Sequence, residues 1–263
     1  MKIGELAPEA YKSLRNGYSY VPARLDPTAA DRNVKSIFLN GTRLTPILPA
    51  EKDWLNGTIK KEYSSIELDR YHFELLQSDK KDEIVTGVLS VVFWGFSSGA
   101  DGKFREDRAL ARANQLLEGH KKSNTPMSPS EIAQHVLQSR KLLTEENIGE
   151  ALLTMMKIPF LGMSFASKVL MFMAPERVCV YDKIIADRLK KDISVDRSLV
   201  TNPAGKSRLI DKASAYRAWC QYCLKKSIEL NKIGSEWSDW DGQKHSWRSV
   251  DIERAIFAMT IKS

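Results

Sequence analysis

Pro159 stands between two amphipathic helical runs, and that arrangement constrains the chain more than any other feature. Ahead of it, Ile148, Ala151, Leu152, Met155 and Met156 recur at helical spacing and bury one face. Proline disfavours a helical residue before it, so the first run ends there. Phe160, Leu161, Gly162 and Met163 make a tight connection to a second run, in which Phe165, Ala166, Val169, Leu170 and Met173 face one way. Ala166 is small enough to let the two helices approach closely. The stretch therefore reads as helix, glycine-containing hairpin, helix. Such a hairpin offers backbone N–H groups and the partly positive N-terminus of a helix to an anion such as phosphate. A contact made by backbone positions a nucleic acid without reading its sequence.

The pattern is helical from Ser64 onward. The periodicity predicts helices over 64–78, 83–94, 104–120, 129–141, 145–156, 163–173, 181–191, 206–231 and 249–261. Ser128 lies three residues before Glu131 with Pro129 at the first turn, and Thr144 precedes Glu145 and Glu146, so both mark helix starts. Segments 121–127 and 192–204 read as loops. The first fifty-odd residues are rich in turn formers, and Asn40-Gly41, between Ile37-Phe38-Leu39 and Thr42-Arg43-Leu44, suits a short hairpin. No other stretch reads as a strand, so the expected architecture is all-α.

Charge and cysteine content narrow the setting. The chain carries 40 Lys plus Arg against 33 Asp plus Glu, a net +7 that suits a polyanionic partner and equally suits plain solubility. Three cysteines (Cys179, Cys220, Cys223) are too few and too odd in number for a disulfide framework. The longest apolar stretch, residues 88–96, is far short of the roughly twenty residues of a membrane span. The first ten residues lack the apolar core of a signal peptide. The expectation is a cytoplasmic protein without a membrane partner.

The residues Ile158-Pro159-Phe160-Leu161-Gly162-Met163-Ser164-Phe165-Ala166, an apolar helix, and then Val178-Cys179-Val180-Tyr181-Asp182 resemble the helix-hairpin-helix DNA glycosylase superfamily. The pattern there is Leu-Pro-Gly-Val-Gly-x-Lys-x-Ala, a helix, and a short extended segment ending in the catalytic aspartate. The stretch Trp247-Arg248-Ser249-Val250-Asp251-Ile252-Glu253-Arg254-Ala255 is similar to bacterial 8-oxoguanine-glycosylase-like proteins. The resemblance implies two helical subdomains with a cleft between them: 80–157 as the middle one, 158–263 carrying the hairpin and the C-terminal one, and 1–79 packing with the latter. It also implies a monomer acting on double-stranded DNA with a modified base. No cofactor is implied beyond a candidate monovalent cation at the hairpin.

Carried over residue by residue, Asp182 takes the catalytic position, and Leu161, Gly162, Met163, Ser164 and Lys183 take the DNA contacts. Two departures matter. Phe160 replaces the first hairpin glycine. Ser164 stands where bifunctional members place a Schiff-base lysine, so cleavage by water, leaving an abasic site, is expected. Lys168, one turn on, is a displaced nucleophile or a phosphate contact. One carboxylate suffices for such chemistry, because glycosidic cleavage passes through an oxocarbenium-like state that an anion stabilises.

Each of these residues has a plainer reading. Asp182 and Ser164 also suit helix caps, and Gly162 a simple turn. Cys220-x-x-Cys223 inside a helix reads as core, and three cysteines cannot supply the four that hold an iron–sulfur cluster. His72, His120, His135 and His245 show no metal-ligand spacing, so no metal is expected. Phe93, Trp94 and Phe96 are either a pocket stacking on an extruded base or core aromatics. Trp237, Trp240 and Trp247 lie in a polar segment, which favours a binding role. Lys183, Arg188, Lys190, Lys191, Lys206, Arg208 and Lys212 either flank DNA or line solvated faces. The leading expectation is a monofunctional DNA glycosylase serving repair or defence against hypermodified phage DNA. Its rivals are a non-catalytic helix-hairpin-helix DNA binder and a bifunctional glycosylase/lyase using Lys168.

Overall fold

Asn40 and Gly41 both adopt positive φ, 49° and 83°, as a two-residue hairpin turn requires. They join β2 (Ile37–Leu39) to β3 (Thr42–Ile47), and β1 (Arg24–Asp26) adds to the far side of β3, giving a small antiparallel sheet in the order β1-β3-β2. The computed structural model describes residues 2–27, 35–98, 103–119 and 126–261. The expected 121–127 loop falls mostly outside the described residues, as does His120.

Around this sheet the chain is helical: α1 (Pro8–Asn16), α2 (Glu51–Leu55), α3 (Ser65–Gln77), α4 (Lys81–Phe96), α5 (Glu106–Glu118), α6 (Pro129–Thr144), α7 (Ile148–Met155), α8 (Met163–Met173), α9 (Lys183–Lys191), α10 (Leu209–Lys232) and α11 (Ser249–Ile261). The fold is all-α, as expected. Not expected were β1, α1, α2 and a second hairpin, β4 (Trp237–Ser238) with β5 (Lys244–His245). Ser128 forms the expected capping box with Glu131. Thr144 does not start a helix. Its hydroxyl returns to the Arg140 carbonyl at 3.1 Å, and Glu146 at φ 60° turns the chain before α7 begins at Ile148.

α4 is apolar on every side, with Ile84 through Trp94 all buried, because it has no solvent face. It packs on α3, α5, α6, α8 and β1. The chain ends meet elsewhere: α11 lies against α1, α9 and α10. A buried ion network fixes that junction. Asp69 on α3 accepts from Arg254 (2.9 Å to Nη1) and from Arg248 (2.8 Å), and Asp251 accepts from Arg248 (2.8 Å) and from Arg15 on α1 (3.0 Å). Arg15 is 1% exposed, donates to Ser65 at 2.7 Å, and lies 3.5 Å from the ring centre of Trp237. Surrounding arginines hold the Asp251 carboxyl well below the usual carboxylate range, against the opposing cost of its burial.

This network overturns the binding role of the C-terminal tryptophans. Trp237 and Trp247 are 0% and 2% exposed, and Trp240 stacks on Tyr18 while its ring N–H donates to the Tyr18 carbonyl. Of their polar sequence neighbours, Asp239, Arg248 and Asp251 fold inward, whereas Glu236, Gln243 and Lys244 are exposed.

Candidate active site

The hairpin between α7 and α8 turns on Phe160, which adopts φ 68° where a glycine would meet no steric cost. Gly162 itself has an ordinary φ of −68° and begins α8 without a side-chain cap. A Cβ there would touch nothing within 4 Å, so this glycine leaves the hairpin tip open rather than relieving strain. Among the described residues, nothing accepts from the amides of Gly162, Met163 or Ser164. Free N–H groups at a helix N-terminus are the kind of donors an anion can use. Leu161 and Met163 bury their side chains, 2% and 0% exposed, so only their backbone can meet a ligand.

Ser164 is not the helix cap. It lies inside the first turn of α8, where its hydroxyl accepts from Lys168 Nζ at 3.3 Å. The same Nζ lies 3.5 Å from Asp182 Oδ2, with the Lys168 side chain 8% and the Asp182 side chain 15% exposed. Asp182 also caps α9, its Oδ1 accepting from the Ile185 amide at 3.1 Å. Asp182 is thus a helix cap, and the cap fixes one oxygen and leaves the other facing Lys168. The extended segment before it is anchored by Ser167, whose hydroxyl accepts from the Tyr181 amide at 2.9 Å. Thus α8 supplies Ser164 and Lys168, and the strand-like return delivers Asp182 beside them.

α4 closes one side. A Cβ on Gly95 would fall 2.6 Å from the Phe165 ring and 3.2 Å from Lys168 Cδ, so only glycine lets α4 and α8 come this close. Tyr20 donates from its hydroxyl to the Gly95 carbonyl at 3.1 Å. Phe96, half-buried, stacks on Phe165 with ring centres 4.3 Å apart, and the guanidinium groups of Arg108 and Arg112 lie 5.4 and 5.5 Å from its ring centre. The expected aromatic pocket is thereby corrected. Phe93 and Trp94 are 0% and 3% exposed and belong to the core, where Trp94 packs on Tyr20 and Phe172. Of the three, only Phe96 reaches the site, paired with Phe165, because it stands at the end of α4 where that helix leaves the core.

Sequence reading missed Glu253. It lies on α11, 4% exposed, with no hydrogen bond or ion pair among the described residues. Burial, and next the Asp182 carboxylate, push its carboxyl up to about 8. The signal was present in the tail similar to 8-oxoguanine-glycosylase-like proteins, but nothing local in sequence relates that tail to Asp182.

The basic residues divide. Lys183 pairs with Asp187, Arg208 pairs with Asp211, and Lys212 is buried, donating to the Pro203 carbonyl. Lys183 and Lys190 line a cleft of about 700 Å³ with Thr201, Asn202 and Ser207, beginning one residue after Asp182. Cys179, Cys220 and Cys223 are free and buried, their thiols pushed up by burial. His72 is sealed between the Leu68 carbonyl and the Ser90 hydroxyl. Asp239, Asp241 and His245 lie close together, and Asp239 accepts from Ser64, Ser65 and the Ile66 amide.

No described helix is long and apolar enough to cross a membrane. No curated protein and no solved structure matches the chain. A family described as "Putative 8-oxoguanine DNA glycosylase OGG-like protein" matches residues 32–257, a span that takes in the hairpin, Lys168, Asp182 and Glu253. The chain belongs to this OGG-like DNA glycosylase family.

Proposed function

We propose that the protein is a monofunctional DNA glycosylase: it extrudes a modified base, hydrolyses its N-glycosidic bond and leaves an abasic site. The observation that carries this reading is the Asp182 carboxylate, one oxygen fixed by the α9 amide and the other 3.5 Å from Lys168, one helix beyond three free hairpin amides. The amides of Gly162, Met163 and Ser164 hold a backbone phosphate, and Lys183 and the cleft beside it continue the track. The carbonyls of Pro159 and Leu161 accept no hydrogen bond among the described residues and are the donors a monovalent cation would use between hairpin and phosphate. Phe96 and Phe165 present the aromatic face for an extruded base. Asp182 then stabilises the oxocarbenium-like state and takes the proton of the attacking water.

The test is incubation of the monomeric protein with duplexes carrying 8-oxoguanine, other oxidised or deaminated bases, and hypermodified phage-type bases, scored for abasic sites. Asp182→Asn should bind DNA and lose on the order of a hundredfold or more in rate. A variant that keeps its turnover refutes the assignment, and a wild-type protein that binds but never releases a base is a DNA binder only.

One observation favours a second reading. Lys168 Nζ stands beside Asp182, where an amine nucleophile is needed for strand cleavage. Its contacts to Asp182 and to the Ser164 hydroxyl argue for hydrolysis instead, since an amine that attacks the sugar must leave both. Unbroken product strands and no borohydride-trapped adduct are expected, and a trapped adduct lost in Lys168→Gln establishes the lyase.

A further inference from the structure

The chemistry assigned to Asp182 leaves Glu253 without a task. One chain of contacts joins its helix to the site, and charges acting on it come from the same place. Phe257, one turn further along the same face of α11, packs against Tyr20 with ring centres 6.3 Å apart, and Tyr20 is tied to Gly95, against which Phe165 and Lys168 are packed. From the other side, the charges that act on Glu253 are those of Asp182, Arg254, Lys168 and Arg15. Tyr18, Cys179 and Cys223 complete the titratable groups around it, from the segment after α1, the extended segment and α10.

None of the cations is available to it. Arg15 is committed to Asp251 and Ser65, Arg254 to Asp69, and Lys168 to Asp182. An ionised Glu253 would be a second carboxylate in a nearly dry site whose single lysine is already taken, and two such groups do not both ionise. Glu253 is therefore a carboxylic acid at neutral pH, an O–H donor with no acceptor among the described residues.

Resting on the glycosylase reading, we propose that Glu253 is the general acid of the reaction, giving its proton to the departing base. The bond from C1′ to the base nitrogen breaks and its electron pair stays with the base. The proton of Glu253 goes to the base, which leaves neutral. Water bonds to C1′ through oxygen and loses a proton to Asp182. Solvent returns a proton to Glu253 and removes one from Asp182, so water supplies the hydroxyl of the sugar and, in net, the hydrogen of the base. An acid and a carboxylate with separated proton affinities are the pair this chemistry uses.

The experiment is single-turnover base release, as a function of pH, from a duplex with one 8-oxoguanine opposite cytosine, or from the duplex of the panel above that is cut fastest. The wild-type rate should fall as pH rises through about 8, the carboxyl's own titration range. Glu253→Gln, close in shape and permanently neutral, should bind the duplex normally, release base about a hundredfold more slowly or worse, and show no such alkaline limb. Glu253→Asp should restore part of the rate together with the limb. If Glu253→Gln keeps the wild-type rate, or slows while the limb persists, Glu253 is not the acid, even with Asp182→Asn inactive. If the wild-type protein releases no base from any duplex, the glycosylase reading itself falls and the acid loses its leaving group, whereas an active Asp182→Asn overturns only the role given to Asp182.

Discussion

Glu253→Gln is expected to stabilise the protein, by an amount that grows with pH. The unfolded carboxyl titrates near 4.5 and the native one near 8. Below the first value both states hold the proton and the group contributes no slope. Between the two values the native state keeps a proton that the unfolded state has lost, so stability falls as pH rises, by about 1.4 kcal/mol per pH unit. Over that window the loss is roughly 5 kcal/mol, a large share of the ~5–15 kcal/mol that holds a typical domain folded. His72 works the other way. Burial brings its imidazole from 6.5 down to about 4, so between those values the unfolded state binds the extra proton and stability rises with pH. The two slopes oppose each other up to about pH 6.5, beyond which the wild-type protein should lose about 2 kcal/mol on the way to pH 8. Urea unfolding of wild type and Glu253→Gln at about pH 5, 6.5 and 8 isolates the acid, because the His72 contribution cancels in the difference. The difference should move in the variant's favour by about 3–5 kcal/mol across the range. A difference that stays constant with pH, or moves against the variant, refutes the placement of this acid beside Asp182.

Three further outcomes test the packing. Asp69→Ala leaves Arg248 and Arg254 short of a buried partner and should cost about 3–5 kcal/mol in chemical denaturation. A loss under about 1 kcal/mol would mean that water reaches the network. Gly95→Ala drives a methyl to within 2.6 Å of the Phe165 ring; it should cost about 1–3 kcal/mol and slow base release by displacing Lys168, whereas an unchanged rate would show that α4 does not set the site. Gly162→Glu should fold normally, since its φ is ordinary and its Cβ direction open. It should weaken binding to all duplexes alike and flatten the salt dependence, as expected for a lost phosphate contact, and a folded variant with parental affinity would remove the hairpin from the interface.

Elements with strong local period were legible in the sequence. The boundaries of α8 and α11 agree with the periodicity, and Ser128 with Glu131 marked the start of α6 correctly. α1 was hidden among turn formers, although Pro8 at its first position and the buried face of Tyr11, Leu14 and Arg15 carry a helix signal. The site was half legible. Lys168 and Asp182 are joined by one helix and one return, a local relation that spacing can express. Phe93 and Trp94 could not be separated from Phe96, because whether an apolar residue lines a cleft or a core depends on where its helix ends in space. Trp237 and Glu253 failed for a common reason: each is polar in its sequence neighbourhood and buried by partners far along the chain. Burial of polar groups is decided by tertiary pairing, which periodicity does not encode.

The ion network at the chain junction bears on when a working enzyme first exists. Its bonds join residues 236 positions apart, Arg15 to Asp251, and 185 apart, Asp69 to Arg254. Contacts of such separation form late in folding, since each must close a long loop before it gains anything. A chain growing from its N-terminus has the hairpin, Lys168 and Asp182 in hand while α11 is still being made. Glu253 arrives only with the arginines on either side of it, in the same turn of helix that locks α1 and α3 together. On the proposed reading, a nascent fragment would present the hairpin amides before it holds the acid, and competence to cut bases would come in one step with the completed fold.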